Sequence, residues 1–268
     1  MKKIQIILIG KKSFIAYYLH KMLKKKIRIT HLSLEKFMKM NLNNVSKYSF
    51  ICNCAINHKY QLKVYKKEND IDLKIINKIK NINIKYIFLS SRKVYKPGPN
   101  LKESSTILPQ DNYSKNKLIT ENLVKQYKPK KYIILRISNL VGTPIKNSRK
   151  VSKNFIDNFV FYFKNKKKIK YKNYFKDFLS INQFIYIFHK VLKKNITGTF
   201  NLSLGEKVFI KEILQWLDKN NLNKFIAVNK FTNNDSFYLN NEKIKKKLNI
   251  QIKKNDLRKY CLYNFKII

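Results

Sequence analysis

Short runs of apolar residues recur along the first half of the chain, and segments with helical spacing separate them. The runs that predict buried strands cover residues 4–9, 27–29, 50–52, 86–89 and 132–135. Helices are predicted over residues 71–80 and 113–127, and after Gly10 from an apolar face of Phe14, Ile15, Leu19 and Leu23. Strands that are apolar at successive positions are typical of a parallel sheet covered on both faces. The pattern therefore predicts an α/β fold with a doubly wound parallel sheet.

The first strand ends in a glycine that opens a helix. This placement leaves backbone N–H groups and the positive helix end where a pyrophosphate can bind. Ser13 and Ala16 stand where the dinucleotide-binding motif has its second and third glycines, so only Gly10 matches the motif in full. Taken alone, the segment is as typical of any α/β protein as of a dinucleotide site.

The regular alternation ends after Gly142. Helices are predicted over residues 151–164 and 181–192, with short strands near Ile169 and over 200–202. We predict a dinucleotide-binding domain of the Rossmann type over residues 1–145. Residues 146–268 are predicted to form a mixed region that adds late sheet elements and a smaller substrate-binding lobe.

The large positive net charge of the chain does not change the predicted fold or class of protein. The chain carries 59 Lys and Arg against 15 Asp and Glu, a formal net charge of +44. Alone, this charge would predict a nucleic-acid or anionic-membrane partner. The lysines are spread in short clusters, and alanine occurs only at Ala16, Ala55 and Ala227, a bias typical of a very AT-rich genome. We interpret the lysines as solvated faces and predict no specific nucleic-acid partner.

The sequence gives little support for metal, disulfide or membrane chemistry. Cys52, Cys54 and Cys261 lack Cys-x-x-Cys spacing, and the histidines are scattered, so we predict reduced thiols and no metal site. The apolar runs are far shorter than the roughly 18 residues that cross a bilayer. The N-terminus shows no small-residue cleavage site. We therefore expect a cytoplasmic protein without a membrane partner.

A Tyr-x-x-x-Lys spacing puts a phenol and an ammonium on one helical face. In this lysine-rich chain the spacing alone says little, because it recurs at Tyr17/Lys21, Tyr113/Lys117, Tyr127/Lys131, Tyr162/Lys166 and Tyr186/Lys190. Position separates the pairs. Only Tyr113/Lys117 begins a helix after the fourth predicted strand, downstream of a Ser-Ser pair.

Here the chain resembles the extended short-chain dehydrogenases that act as nucleotide-sugar epimerases, dehydratases and reductases. The similar segments occur in the family's order: residues 10–16 (glycine motif), 53–55 (after the third strand), 89–95 (Ser-Ser-x-x-Val-Tyr), 109–121 (active helix), 135–142 (Leu-Arg-x-x-Asn-x-x-Gly), 176–179 (Arg-Asp-Phe-Ile) and 198–202 (Gly-x-Tyr-Asn-Val). Each motif is weak by itself, and their order makes the resemblance specific.

The resemblance implies a catalytic set of Ser91, Tyr113 and Lys117. Tyr113 would transfer a proton to or from the sugar hydroxyl. A tyrosine in water has a pKa near 10, so it needs a nearby cation such as Lys117 to act as a base. In the family this lysine also holds the nicotinamide ribose, and the serine bonds the reacting oxygen. The implied cofactor-binding residues are Gly10, Ser13, Phe14, Ile15, Ala16, Cys54, Ala55, Ser90, Tyr113 and Lys117.

Within the family, residues 92 and 93 argue against a 4,6-dehydratase. Such enzymes carry an Asp-Glu pair directly after the catalytic hydroxyl residue, whereas this chain has Arg92 and Lys93, which cannot serve as that acid and base. A 4-keto-sugar reductase and a 4-epimerase that retains NAD remain open. We favour the reductase, because the chain is short for the family and its imperfect glycine turn gives no sign of a permanently held cofactor.

The implied partner is a nucleotide-linked sugar, in surface-polysaccharide precursor synthesis. Its predicted contacts are Asn139, Arg92, Lys93 and Phe178. The cofactor is NADP or NAD, with a lean to NADP or dual use because residues 30–33 offer no carboxylate after the second strand. The family also suggests a homodimer, by analogy. Two rival classes remain: an inactive dinucleotide-binding scaffold or sensor, and a nucleic-acid binder.

Overall fold

The computed structural model describes residues 4–128, 130–143, 169–172, 174–217, 225–227 and 236–264; the helix predicted over 151–164 lies outside them. The described strands are β1 (Gln5–Ile9), β2 (Arg28–Leu32), β3 (Phe50–Asn53), β4 (Lys85–Ser91), β5 (Tyr132–Ile137), β6 (Asn139–Val141), β7 (Ile169–Tyr171), β8 (Phe175–Lys176), β9 (Phe178–Ser180), β10 (Gly198–Leu202), β11 (Val208–Phe209) and β12 (Phe225–Ala227). The described helices are α1 (Phe14–Leu23), α2 (Leu34–Met38), α3 (Leu42–Val45), α4 (His58–Leu62), α5 (Ile71–Ile79), α6 (Asn112–Tyr127), α7 (Ile181–Lys194), α8 (Ile210–Leu217), α9 (Glu242–Leu248) and α10 (Lys254–Asn264).

Six strands form one sheet in the order β10-β5-β4-β3-β1-β2. Strands β1 to β5 pair in parallel, with Ile9 opposite Leu32 on one side and Asn53 on the other. The predicted α/β class with a Rossmann-type sheet is confirmed. The chain leaves β1 to one side for β2 and returns to its other side for β3, so the strand order reverses there. In open α/β sheets ligands bind at the carboxyl ends of strands beside such a reversal.

Apolar residues at alternate strand positions bury one face of the sheet. Side chains two residues apart, such as Tyr86 and Phe88, join Ile75, Ile76 and Ile79 of α5 in a fully buried cluster. In α1 the fully buried residues are Ala16, Leu19 and Leu23, whereas the predicted Phe14 and Ile15 are only half-buried. The buried face of α1 therefore differs from the predicted one. The small Ala16, which stands at the third glycine position of the motif, lets the helix pack close to the sheet.

Three lysines correct the interpretation of the lysines as solvated faces. Lys85, Lys117 and Lys128 are each at most 8% exposed. The Nζ atoms of Lys85 and Lys128 donate to backbone carbonyls, at 2.8 Å to Asn195 and at 2.7 Å to Ile82. A buried ammonium is tolerated because carbonyl oxygens replace its water. Part of the positive charge therefore supports the fold.

The chain divides into two compact units. The first comprises residues 1–96, 105–137 and 185–201, and the second comprises 97–104, 138–184 and 202–268. The first unit holds the parallel sheet up to Asn201 of β10 and the helices packed on it. In the second, β6 pairs with β9 in parallel, β7 with β12 in parallel, and β8 with β11 antiparallel. The domain boundary near residue 145 stays a prediction.

Buried Asp177 organises the described part of the second unit. Its carboxylate accepts backbone N–H groups of Leu204 at 2.9 Å, Leu239 at 3.1 Å and Gly205 at 3.2 Å. Burial nevertheless raises its pKa to about 7. The three amides come from separate chain segments, so one carboxylate ties these segments together.

Candidate active site

Gly10 closes the carboxyl end of β1 in a conformation that favours glycine. Its φ is +113°, and a Cβ built there would lie 2.9 Å from the backbone nitrogen of Ala55 and 3.2 Å from the carbonyl carbon of Cys54. The N–H of Gly10 donates to the Leu32 carbonyl at 2.9 Å. The ends of β1, β2 and β3 therefore meet at a point where only a glycine fits.

The first turn of α1 follows this point. Ser13 is its N-cap but makes no side-chain capping bond, which leaves the first-turn N–H groups without their usual side-chain acceptor. Lys11 and Lys12 are exposed in the turn itself. Unsatisfied amides, the positive helix end and two ammonium groups suit the pyrophosphate of a dinucleotide. The close backbone approach at Gly10 fits the same group.

The segment after β3 borders this turn, as predicted for Cys54 and Ala55. The Cys54 N–H donates to the Ile9 carbonyl at 2.9 Å. Buried Asn53 fixes the next turn, because its amide accepts from Ala55 N at 2.9 Å and donates to Ala55 O at 3.0 Å. Both thiols are free, with the Sγ atoms of Cys52 and Cys54 3.9 Å apart.

A capping box begins α6, the predicted catalytic helix. The Asp111 side chain accepts from Ser114 N at 2.8 Å, and Ser114 Oγ receives the Asp111 N–H at 3.1 Å. Lys93 Nζ pairs with the Asp111 carboxylate at 2.7 Å. Burial works against ionisation of Asp111, yet the bonds from Lys93 and Ser114 hold its pKa down at about 2. The helix start is thus fixed just before Tyr113.

Tyr113 and Lys117 occupy successive turns of α6. Lys117 is 7% exposed, and its Nζ donates to the Leu89 carbonyl of β4 at 2.8 Å. The same Nζ lies 5.8 Å from the centre of the half-buried Tyr113 ring and 4.5 Å from that of Phe88. The ammonium is therefore held at one place beside the phenol, with its charge facing aromatic rings.

Predicted catalytic Ser91 ends β4, and α6 packs against β4. Its Oγ accepts from Lys93 N at 3.2 Å, which leaves its hydroxyl proton for another acceptor. The neighbouring Ser90, predicted to bind cofactor, instead donates to buried Glu121 at 2.6 Å. Glu121 also binds Arg136 of β5, at 2.7 Å to Nη2. These bonds join β4, β5 and α6, so they fix the strand end against the helix that carries Tyr113.

Sequence reasoning missed Asp72, a fully buried carboxylate in α5. Tyr86 Oη donates to it at 2.6 Å, and the Asn53 amide bonds to it as well. Burial raises its pKa to about 6, while the nearby Lys117 ammonium opposes the rise. Asp72 thus links the turn after β3 with Lys117, the predicted catalytic lysine. No motif marked it, since its role depends on how α5 and α6 pack.

The predicted substrate residues fall in both units. Asn139 and Phe178 lie opposite each other in the β6–β9 pair, and Asn139 Nδ2 donates to the Asp177 carbonyl at 3.1 Å. Phe178 is only 1% exposed, so its ring packs in the second unit. Arg92 and Lys93 lie in the 3₁₀ turn after β4, in the first unit. The substrate contacts of all four residues stay predictions.

Comparison with known proteins identifies the class. The profile of the NAD dependent epimerase/dehydratase family matches residues 26–203, more than half of the chain. The chain belongs to this family of enzymes, and the resemblance predicted from its motifs is confirmed. The matched range excludes the glycine turn at 10–16. A comparison with curated proteins found no match.

Solved structures show the same fold at low sequence identity. UDP-N-acetylglucosamine 4-epimerase from Methanobrevibacter ruminantium, in complex with UDP-N-acetylmuramic acid, has a TM-score of 0.79 and 20% identity over 99% of this chain and 98% of its own. The enzyme WbmG from Bordetella bronchiseptica, in complex with NAD, has a TM-score of 0.79 and 17% identity over 99% and 96%. dTDP-glucose 4,6-dehydratase from Bacillus anthracis, in complex with NAD, has a TM-score of 0.74 and 17% identity over 97% and 94%.

The described residues contain neither a membrane-spanning helix nor a cluster of metal-binding side chains. Among them, no helix is long and apolar enough to cross a membrane. Nor do three His, Cys, Asp or Glu side chains of the described ranges form a group that could hold a metal ion.

Proposed function

We propose that the protein is an NAD(P)-dependent oxidoreductase that reduces the 4-keto group of a nucleotide-linked sugar. The observation that carries the proposal is the placement of Lys117. Its Nζ is fixed on the Leu89 carbonyl at 2.8 Å, at the carboxyl end of β4, one helical turn from Tyr113. Four other Tyr-x-x-x-Lys pairs share the spacing, and among the pairs within the described residues only this one begins a helix packed on the end of a central strand.

The residues around the pair define its chemistry. A bound nicotinamide dinucleotide supplies the hydride that is transferred to the carbonyl carbon. Gly10, Ser13 and the turn at 53–55 would hold its diphosphate half, and Lys117 its nicotinamide ribose. Ser91 donates a hydrogen bond to the sugar carbonyl oxygen, and the Tyr113 phenol gives its proton to that oxygen as the alcohol forms. Lys117 stabilises the resulting phenolate until solvent returns a proton.

A 4-epimerase is the second candidate, and the 4-epimerases among the similar structures support it. The same residues would serve both reactions, since an epimerase removes and returns hydride at one carbon. One feature favours the reductase: the chain's glycine turn keeps one of the motif's three glycines, which suits a cofactor that is exchanged at each turnover. A dehydratase is disfavoured, because Lys93 stands in place of an acid and is paired with Asp111.

The test is turnover with purified protein. UDP- and dTDP-linked 4-keto sugars are supplied with NADPH or NADH, and nicotinamide absorbance and sugar products are followed. A reductase consumes one reduced cofactor per alcohol formed. An epimerase interconverts UDP-linked hexoses with no net loss of cofactor, and this result would replace the reductase by the second candidate.

Matched tyrosine variants test the assignment of the acid. Tyr113→Phe should lower kcat by at least about 100-fold, the usual contribution of a general acid. Tyr186→Phe is the control, because Lys190 Nζ lies 5.6 Å from the Tyr186 ring centre in the same spacing on α7. Equal activity of Tyr113→Phe and the wild type would contradict the proposed role of Tyr113.

A further inference from the structure

Two of the chain's three cysteines lie at the end of β3, next to the glycine turn. Cys52 is fully buried in the strand, and Cys54, one residue beyond the strand's end, is partly exposed. Side chains two residues apart point to the same side of an extended chain. The two Sγ atoms accordingly lie 3.9 Å apart, and both thiols are free.

A disulfide requires only a short movement of this pair. The sulfur atoms of a disulfide are about 2.05 Å apart, so the two Sγ atoms would have to approach each other by roughly 2 Å. Only Asn53 separates the two cysteines, so the movement falls on the backbone of Asn53 and Cys54. Strained disulfides are more easily reduced than structural ones. A link at this place therefore suits a reversible modification.

The surroundings of the two thiols give them different roles in oxidation. Burial raises the pKa of the Cys52 thiol, and its bond with Cys54 adds to the rise. Because the thiolate is the form that attacks an oxidant, buried Cys52 is the less reactive member, and a dissolved oxidant reaches the partly exposed Cys54 first. The third cysteine, Cys261, is buried in the second unit, where burial raises its pKa to about 12.

The backbone at Cys54 has no free space on the side of the glycine turn. A Cβ built at Gly10 would lie 3.2 Å from the carbonyl carbon of Cys54 and 2.9 Å from the nitrogen of Ala55. The Cys54 N–H donates to the Ile9 carbonyl at 2.9 Å. The Asn53 amide holds Ala55 through bonds of 2.9 and 3.0 Å. Displacement of Cys54 by a disulfide would therefore break contacts that shape the glycine turn.

We propose that Cys52 and Cys54 form a redox modification site, whose disulfide weakens binding of the nicotinamide dinucleotide at the glycine turn. The oxidant is a peroxide such as hydrogen peroxide. The effect on binding rests on the dinucleotide site of the proposed function, whereas the modification itself does not.

The chemistry takes place in two steps. The Cys54 sulfur attacks one peroxide oxygen and breaks the O–O bond, which gives a sulfenic acid and releases one water. The Cys52 sulfur then bonds to the Cys54 sulfur and displaces the hydroxyl group, which leaves as a second water with the Cys52 proton. The two thiols together supply two electrons, and these reduce one hydrogen peroxide to two waters.

Mass spectrometry of the purified protein tests the modification without cofactor or substrate. After treatment with hydrogen peroxide, we expect the wild type to lose two hydrogen atoms and to yield a peptide in which Cys52 is linked to Cys54. Cys52→Ala should instead gain oxygen on Cys54, and Cys54→Ala should show neither change. Cys261→Ala is the matched control and should form the link as fast as the wild type, because Cys261 lies in the second unit.

Calorimetry with NADH and NADPH tests the effect on binding. We expect the linked protein to bind the dinucleotide at least about tenfold more weakly than the reduced protein, the equivalent of one charge-assisted hydrogen bond. Reduction with dithiothreitol should restore the affinity. A dinucleotide present at about ten times its Kd should slow formation of the link about tenfold, because it would cover Cys54.

Each outcome bears on one part of the proposal. Absence of the link between Cys52 and Cys54 in the treated wild type overturns the modification site. A link that leaves the dinucleotide affinity unchanged overturns its effect on binding. A loss of affinity that dithiothreitol does not reverse overturns the assignment of that loss to the disulfide. A link in a protein that binds no dinucleotide when reduced rejects the dinucleotide site of the proposed function and supports the modification alone.

Discussion

Removal of the Glu121 carboxylate should destabilise the first unit severely. Glu121 is fully buried, and it accepts bonds from Ser90 Oγ at 2.6 Å, Arg136 Nε at 3.0 Å and Arg136 Nη2 at 2.7 Å. In Glu121→Ala the guanidinium of Arg136, a residue that is only 4% exposed, loses the negative charge of Glu121 and stays buried away from water. Breaking a buried ion pair on one side costs about 3–5 kcal/mol. We expect the midpoint of thermal unfolding to fall by roughly 6–20 °C.

Urea unfolding followed by far-ultraviolet circular dichroism measures this loss. Glu35→Ala is the control, because the Glu35–Lys39 pair is exposed on one short helix and should contribute almost nothing. The double variant Glu121→Leu/Arg136→Met should recover much of the stability, since a buried pair replaced by apolar residues of similar volume is often neutral. A loss below about 1 kcal/mol in Glu121→Ala would refute the reasoning that the buried guanidinium needs this partner.

Three further changes test other parts of the site. Gly10→Ala should cost about 1–3 kcal/mol of backbone strain and abolish dinucleotide binding in calorimetry. Gly98→Ala is the control, because a Cβ at Gly98 meets only ordinary contacts, and it should leave binding unchanged. Normal binding by Gly10→Ala would contradict a role of this turn in dinucleotide binding. Burial raises the pKa of Asp72 from 3.8 to about 6, so its contribution to stability is complete below pH 4 and lost as the pH rises through 6. Relative to Asp72→Asn, the wild type should therefore lose stability between pH 4 and 7 in urea titrations, and a constant difference would contradict this. Asp111→Ala removes the N-cap of α6 and should cost about 0.5–2 kcal/mol in the same assay, while an unchanged midpoint would show that the cap is dispensable.

The strands and helix α6 could be predicted because local sequence pattern controls them. A run such as Tyr86 to Leu89 is apolar at every position, which favours a strand buried on both faces, and the structure places it in one. The glycine after β1 and the order of weak motifs indicated the family, which the comparison confirms. The helices α8, α9 and α10 were not predicted. The segments of α9 and α10 are short and rich in lysine and other polar residues, which weakens their apolar pattern, whereas α8 does carry a helical apolar face of Ile210, Ile213, Leu214 and Leu217 over its eight residues.

The electrostatics of the site could not be predicted in the same way. Lys117, Lys85 and Lys128 look like any other lysine in a chain of this composition, yet each is buried. Asp72 in α5 accepts a hydrogen bond from Tyr86 in β4, 14 residues further along the chain. Burial of a charge depends on which elements pack around it, and sequence spacing carries no record of that packing.

The sequence by itself determined the alternation of strands and helices, the glycine turn and the candidate pair Tyr113 and Lys117, because each depends on residues near one another in the chain. Only the tertiary structure decided the strand order, the burial of Lys117 on the Leu89 carbonyl and the carboxylate of Asp72 behind it. Contacts between distant segments are made only when the sheet assembles, and those contacts distinguish Tyr113/Lys117 from the other pairs of equal spacing within the described residues.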